Sequence, residues 1–287
     1  MSFENTQITK ASGYNTSNII YGKPRDGNIP GSSVTFKRIQ MGTKNPDGTS
    51  GELILSTESL FSFGLSPSVN MTTGKTDGYT LAICLSNMDS PTKEEKDFID
   101  TFNNICEHAS NYILEHKDDV AKYELEKADL KKFNPMYIKR EKGKIVEGSS
   151  PMLYPKVLQN KKNGTINITS IFYDKSGRDL NPMDLIGKQC HVKAAIKIEG
   201  IFIGSKVSLQ VKLHEAEVKL RETGVKRLLR PASQEEQVSE KVEDIPPVSQ
   251  EESDDDTGSL KGDEEPVVER VPSPQPVQKT VRRIGKK

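Results

Sequence analysis

Apolar residues in the first hundred positions come in short runs cut by Gly, Pro and Asp, a spacing that predicts strands rather than helices. Val34 to Met41 alternates imperfectly, and Glu52 to Ser56, Leu60 to Phe63 and Tyr79 to Leu85 are further runs of strand length. The period then changes. Phe98, Ile99, Phe102, Ile105, Cys106, Ala109, Tyr112 and Ile113 recur three and four apart, which predicts one long amphipathic helix over residues 90–128. Asp89 or Ser90 stands where a cap is needed, and Pro91 suits a first turn.

Beyond residue 150 a period of two returns. Leu153 to Leu158 and Thr165 to Tyr173 flank Lys161-Lys162-Asn163-Gly164, and Asn-Gly predicts a tight hairpin because both residues tolerate positive φ. Val192, Ala194, Ile196 and Ile198, then Val207, Leu209, Val211 and Leu213, alternate with polar and lysine positions, so one face of each strand meets a core and the other carries Lys193, Lys197, Lys206 and Lys212. Strands, a helix and strands again fit a mainly β fold, an OB-like five-stranded barrel with the helix inserted between its third and fourth strands. A β-sandwich with a helical insertion has the same order.

Composition limits how much of the chain folds. No aromatic follows Phe202, and residues 223–287 are dominated by Pro, Ser, Gln, Val and Glu, so one domain over residues 32–222 and a disordered tail are expected. Residues 1–31, rich in Asn, Thr, Gly and Ser, fit either a flexible arm or an early strand.

The zero net charge conceals a partition. Residues 1–234 carry 33 basic and 27 acidic side chains, residues 235–269 carry 2 and 14, and residues 270–287 carry 6 and 0. A mildly basic body followed by an acidic stretch points to a polyanionic partner with which the tail competes, charges interacting within a Debye length of about 8 Å. Ser233, Ser249 and Ser253 precede acidic residues and are candidate phosphorylation sites that would deepen the tail's charge. The basic terminus reads as a solvated end, a phosphate-binding arm or an import patch.

The binding chemistry clusters after the helix. Lys131 to Lys144 contains Lys131, Lys132, Phe133, Tyr137, Lys139, Arg140 and Lys142 against the single acid Glu141, a mixture suited to tracking phosphates while bases stack on rings. Tyr154, Lys156, Lys161, Lys162 and Tyr173 extend the surface, and the strand lysines Lys193, Lys206 and Lys212 add charge to it. The plainer alternative makes Phe133 and Tyr137 the last core residues of an extended helix and the lysines solvated. His108, His116, His191 and His214 have no metal-ligand spacing, no phosphate-binding or nucleophile motif occurs, and neither a cofactor nor catalysis is expected. Three widely spaced cysteines argue for reduced thiols, and the lack of an apolar run or leader argues for a soluble, intracellular protein with no membrane partner.

Three runs carry a family resemblance: Ser150-Pro151-Met152-Leu153-Tyr154-Pro155-Lys156, the stretch from Asp179 to Lys188, and Gly200 to Lys212. They resemble the proposed single-stranded-DNA-binding proteins of nucleocytoplasmic large DNA viruses, over roughly Tyr79 to Val218. The resemblance implies an OB fold, sequence-independent coating of single-stranded DNA in viral replication, recombination and repair, an acidic tail recruiting replication proteins, and action at the viral replication site in host cytoplasm or nucleus. The ending Val281-Arg282-Arg283-Ile284-Gly285-Lys286-Lys287 departs from the acidic, aromatic ends of the similar phage-type proteins. The alternative is a virion or scaffold protein that meets DNA without strand preference.

Overall fold

Twenty consecutive residues form the strand around which the sheet is arranged, Ser50–Val69. Two separate runs were expected there, because Thr57-Glu58-Ser59 is polar. The strand continues because the Thr57 hydroxyl accepts the Ala194 N–H at 2.9 Å, replacing a ladder bond where the register shifts. It bends again at Gly64, whose φ of +80° suits glycine and whose hydrogen faces the Leu185 and Lys188 carbonyls, 2.4 Å from where a Cβ would stand.

The computed structural model describes residues 3–28, 34–71, 73–87, 90–146, 148–162 and 164–221. The expected tail over 223–287, its acidic and basic blocks, Ser233, Ser249, Ser253, Asp89 and Asn163 lie outside them. In chain order the strands are β1 (Ile8–Lys10), β2 (Ile19–Tyr21), β3 (Arg25–Asn28), β4 (Thr35–Lys44), β5 (Ser50–Val69) and β6 (Thr76–Cys84), followed by helix α1 (Lys93–Glu115). Then come β7 (Arg140–Glu141), β8 (Lys144–Ile145), β9 (Met152–Leu153), β10 (Lys156–Val157), β11 (Gln159–Lys162), β12 (Thr165–Ile168), β13 (Ile171–Asp174), β14 (Cys190–Ile203) and β15 (Val207–Leu220).

Among the described residues the expected mainly β architecture is present as one large sheet of eleven strands, not a closed five-stranded barrel. The β11–β12 hairpin and the β7–β8 pair stand apart from it. Five strands of the sheet are linked in succession: β5 to β14, β14 to β15, β15 to β10, β10 to β6, and β6 to β5. The slenderest link is β10, parallel to β15 and registered to β6 only at Lys156↔Thr80. Helix α1 falls between β6 and β10, one strand earlier in this succession than expected. The inner faces bury Leu53, Leu55, Leu81, Ile83, Val192, Ile196, Ile198, Leu209 and Leu213 in a single core, as period two dictates.

Helix α1 buries Phe98, Phe102, Ile105, Cys106, Ala109 and Ile113, the apolar stripe read from its spacing. Its start is set two residues beyond the expected cap: Thr92 accepts the Glu95 N–H at 3.2 Å while Glu95 accepts the Thr92 N–H at 3.0 Å. Thr92→Ala is expected to cost about 1 kcal/mol, read as a lower urea midpoint; an unchanged midpoint would mean that Glu95 caps unaided. The helix stops at Glu115, well short of 128, because the next stripe positions are His116 and Lys117 and the chain turns with Ala121 at φ +54°.

Residues 3–28 are not a loose arm. β1 runs parallel to β5 with Ile8↔Ile54 in register, and β2 and β3 pair with β4. Thr101 donates to the Ala11 carbonyl at 2.8 Å, and Tyr21 lies flat on Tyr112 with ring centroids 3.7 Å apart while its hydroxyl meets His108 Nδ1 at 2.8 Å. These contacts tie the start of the chain across α1.

The expected hairpin forms as β11 and β12, with Lys162↔Thr165 in register and Gly164 at φ +79°. Its expected flanks are shared out differently. Met152–Leu153 and Lys156–Val157 join the large sheet, and Ile171–Asp174 pairs in parallel with β15.

Candidate nucleic-acid interface

Alternation, interrupted in β14 by irregularities at Ala195/Ile196 and Ile198/Gly200, sets which residues of β14 and β15 face outward, and the register then decides which ones meet. Lys197 pairs with Lys212, and Lys212 pairs with Lys156, so three lysines from three neighbouring strands stand side by side. Like charges directly opposite one another destabilise a sheet. Partial burial holds the Lys212 amine below the ordinary lysine range; Glu199 opposes this, and Lys156, Arg38 and Lys197 add to the lowering. One of the three is partly neutralised, since Lys197 donates to Glu52.

Exposed rings continue the stripe along the chain from Lys156. Leu153, Pro155 and Val157 point inward, which leaves Tyr154 and Lys156 outward; Tyr154 is 46% exposed. Tyr137 bridges to Met152 through reciprocal backbone hydrogen bonds of 2.8 Å and is 54% exposed. The two phenols are neighbours: burial raises the Tyr154 pKa, and Cys84 and Tyr137 raise it further. The structure therefore unites Tyr137, Tyr154, Lys156 and Lys212 on one face.

Other expected members separate from it. Phe133 is 2% exposed and packs in the core where the 3-10 turn Lys127–Lys132 ends, so its ring does not meet a base. Lys131 and Lys132 are exposed on that turn. Lys139 is paired with Glu141 at 3.1 Å, Arg140 reaches the Gly143 carbonyl at 3.5 Å, and Lys142 occupies the β7–β8 turn at φ +50°. Lys161 and Lys162 project on the β11–β12 hairpin, and Lys206 lies in the turn before β15.

The far end of β15 is acidic. Tyr173 and Lys193 both register with Glu217, and burial together with Glu215 and Glu217 raises the Tyr173 phenol. A phosphate gains nothing beside those carboxylates, so Tyr173 and Lys193 do not belong to the cationic stripe.

A second cluster went unread in the sequence. Phe36, Arg38 and Gln40 share the outer face of β4, and Arg38 registers with Phe202. The Arg38 guanidinium lies 4.8 Å from the Phe36 ring centre and 5.8 Å from that of Phe202, and the two rings are 5.0 Å apart. The Phe-x-Arg-x-Gln alternation was the available signal.

Among the described residues no group of three or more His, Cys, Asp or Glu is placed to hold a metal, and no described helix is long and apolar enough to cross a membrane. Cys84, Cys106 and Cys190 are unpaired and buried, and burial raises the thiol pKa of Cys106 strongly.

Comparison with known proteins gives viral relatives, in keeping with the resemblance of the three runs. The "Uncharacterized protein 007R" of Invertebrate iridescent virus 3 is 26% identical over 165 residues, 57% of this chain and 35% of its own. The "Early 31 kDa protein" of Frog virus 3 (isolate Goorha) is 26% identical over 154 residues, 54% of this chain and 58% of its own. The chain thus spans less than two thirds of the length of either relative. Among solved structures, the crystal structure of gp2.5, a single-stranded DNA binding protein encoded by bacteriophage T7, is similar at a TM-score of 0.35 and 15% identity, over 62% of this chain and 92% of that one. A likeness of that size carries no site or function across. A family model described as "Protein of unknown function (DUF2738)" matches residues 13–257.

Proposed function

The chain belongs to the DUF2738 family of proteins of unknown function, and from that premise we propose that it is a non-catalytic protein that binds single-stranded DNA without reading its sequence. The observation that carries the reading is the row Lys197, Lys212 and Lys156, aligned across three strands beside the exposed rings of Tyr154 and Tyr137. Side-by-side lysines repel one another, and a polyanion relieves that repulsion. Rings beside such a row suit a strand whose bases are free to stack, which duplex bases are not. The succession of five strands, with its parallel β10–β15 pairing, supports an OB-like description of this part of the sheet. Coating of single strands during viral replication, recombination and repair, with the acidic residues of 235–269 modulating access or engaging replication proteins, is the role we assign on this basis.

The test is fluorescence anisotropy of the full chain with single-stranded and duplex oligonucleotides at two salt concentrations. Single strands are expected to bind more tightly, with a log-log salt slope of about −2, from about −0.7 for each phosphate met by the three lysines. Tyr137→Ala with Tyr154→Ala is expected to weaken binding about ten-fold or more at both salts, because a stacked base contributes about 1–3 kcal/mol. Equal affinity for duplex and single strand would replace this reading with that of a charge-only virion or scaffold surface.

A further inference from the structure

Beside the lysine row lies a groove of about 400 Å³ lined by β3, β4, β5, β14 and β15. That volume falls at the lower end of small-ligand sites, about 300–1,000 Å³, and is of the size of one nucleotide rather than a length of strand.

Its charge is balanced. Arg25, Arg38 and Lys197 line it together with Asp26, Glu52 and Glu199. Two of the carboxylates are already engaged, Asp26 with Lys37 at 2.9 Å and Glu52 with Lys197. A phosphate therefore gains less here than at Lys212 and Lys156. What the groove offers instead is a flat cationic surface: the exposed Arg38 guanidinium, backed by the Phe36 and Phe202 rings, with the amide side chains of Gln40 and Gln210 nearby. Guanidinium planes and aromatic rings stack on bases, and amides hydrogen-bond their edges.

The cluster is held in place. Gly27 registers with Phe36, and the ring crosses the glycine so closely that a Cβ would stand 2.4 Å from it. Any side chain at position 27 would lift the ring from the β3 backbone. Gln210 donates to the Ser208 hydroxyl at 2.9 Å, which leaves its carbonyl oxygen to accept.

We propose that this groove receives one base of the bound strand, stacked on the Arg38 guanidinium over Phe36 and Phe202, while the adjoining phosphates follow Lys197, Lys212 and Lys156. The inference rests on the single-strand reading. It adds a base-stacking pocket of balanced charge to a charged track, so that affinity has a component independent of salt.

The experiment uses the full chain with an oligonucleotide bearing 5-iododeoxyuridine, photocrosslinked and mapped by mass spectrometry. Crosslinks at Arg38, Phe36 or Phe202 are expected. Crosslinks confined to Tyr137 and Tyr154 would overturn the groove while leaving single-strand binding intact; no binding by the unaltered chain would overturn both. In parallel, Phe36→Leu with Phe202→Leu, which keeps apolar bulk and removes the rings, is expected to weaken binding about ten-fold with an unchanged salt slope. Full affinity in a variant that melts at the same temperature would count against the pocket.

Discussion

Replacing Lys156 and Lys212 together by glutamine is expected to lower affinity for single-stranded DNA by about fifty-fold at a salt concentration of about 50 mM, and to make the log-log salt slope shallower by about 1.4, since about 0.7 is lost with each phosphate contact. The two residues are direct neighbours on β10 and β15, so the substitution removes the centre of the row without touching the core. Glutamine keeps most of the aliphatic stem. Because the paired amines repel each other, the same change is expected to leave the urea midpoint unchanged or slightly raised. Weaker binding with an unaltered slope would show that these lysines do not meet phosphates, and the row would lose its role.

The second large effect concerns stability. Phe133→Ala is expected to destabilise the fold by about 3–5 kcal/mol, the usual cost of emptying a phenyl site in a core, whereas Tyr137→Ala, four residues along and 54% exposed, should change the midpoint little. Urea unfolding of the two variants measures the contrast. Below its melting temperature the Phe133 variant should bind DNA as the unaltered chain does. A stable Phe133→Ala protein with lost affinity would mean that the ring leaves the core to meet a base.

These two aromatics show how far the sequence could be read. Both stand in the same lysine-rich stretch, and composition does not tell them apart. Their fates diverge because the 3-10 turn Lys127–Lys132 rolls Leu130 and Phe133 inward, while Tyr137 is caught in the backbone bridge to Met152. Period two was a sound guide for β15, whose buried and half-buried positions alternate as expected over Val207 to Leu213, and less so for β14, which bulges at Ala195 and Gly200. It failed at Thr57, whose hydroxyl accepts the Ala194 N–H in place of a backbone carbonyl. Register is set by such distant partners, so the sequence showed that Lys156, Lys197 and Lys212 face outward without showing that they adjoin. The same reason kept Tyr173 in the expected site: its neighbour Glu217 comes from a strand more than forty residues on. Phe36, Arg38 and Gln40 were legible as alternation on β4, but Phe202 joins them only through the distant register of β14 on β4.

The length of β5 also bears on the order in which the protein can assemble as it is made. Its outer partner β1 and the adjoining β4 precede it, and β6 follows at once, but the edge from Leu53 to Ser62 pairs with β14. The Ala194 to Thr57 hydrogen bond closes over 137 residues, and the Lys197 to Glu52 contact over 145. At ribosomal speeds of about 5–20 residues per second, that edge waits roughly 7–30 s for its mate. An unpaired apolar strand of this kind is a template for wrong partners. Every newly made copy therefore passes through an interval in which that edge is open to neighbouring nascent chains as well as to its own β14.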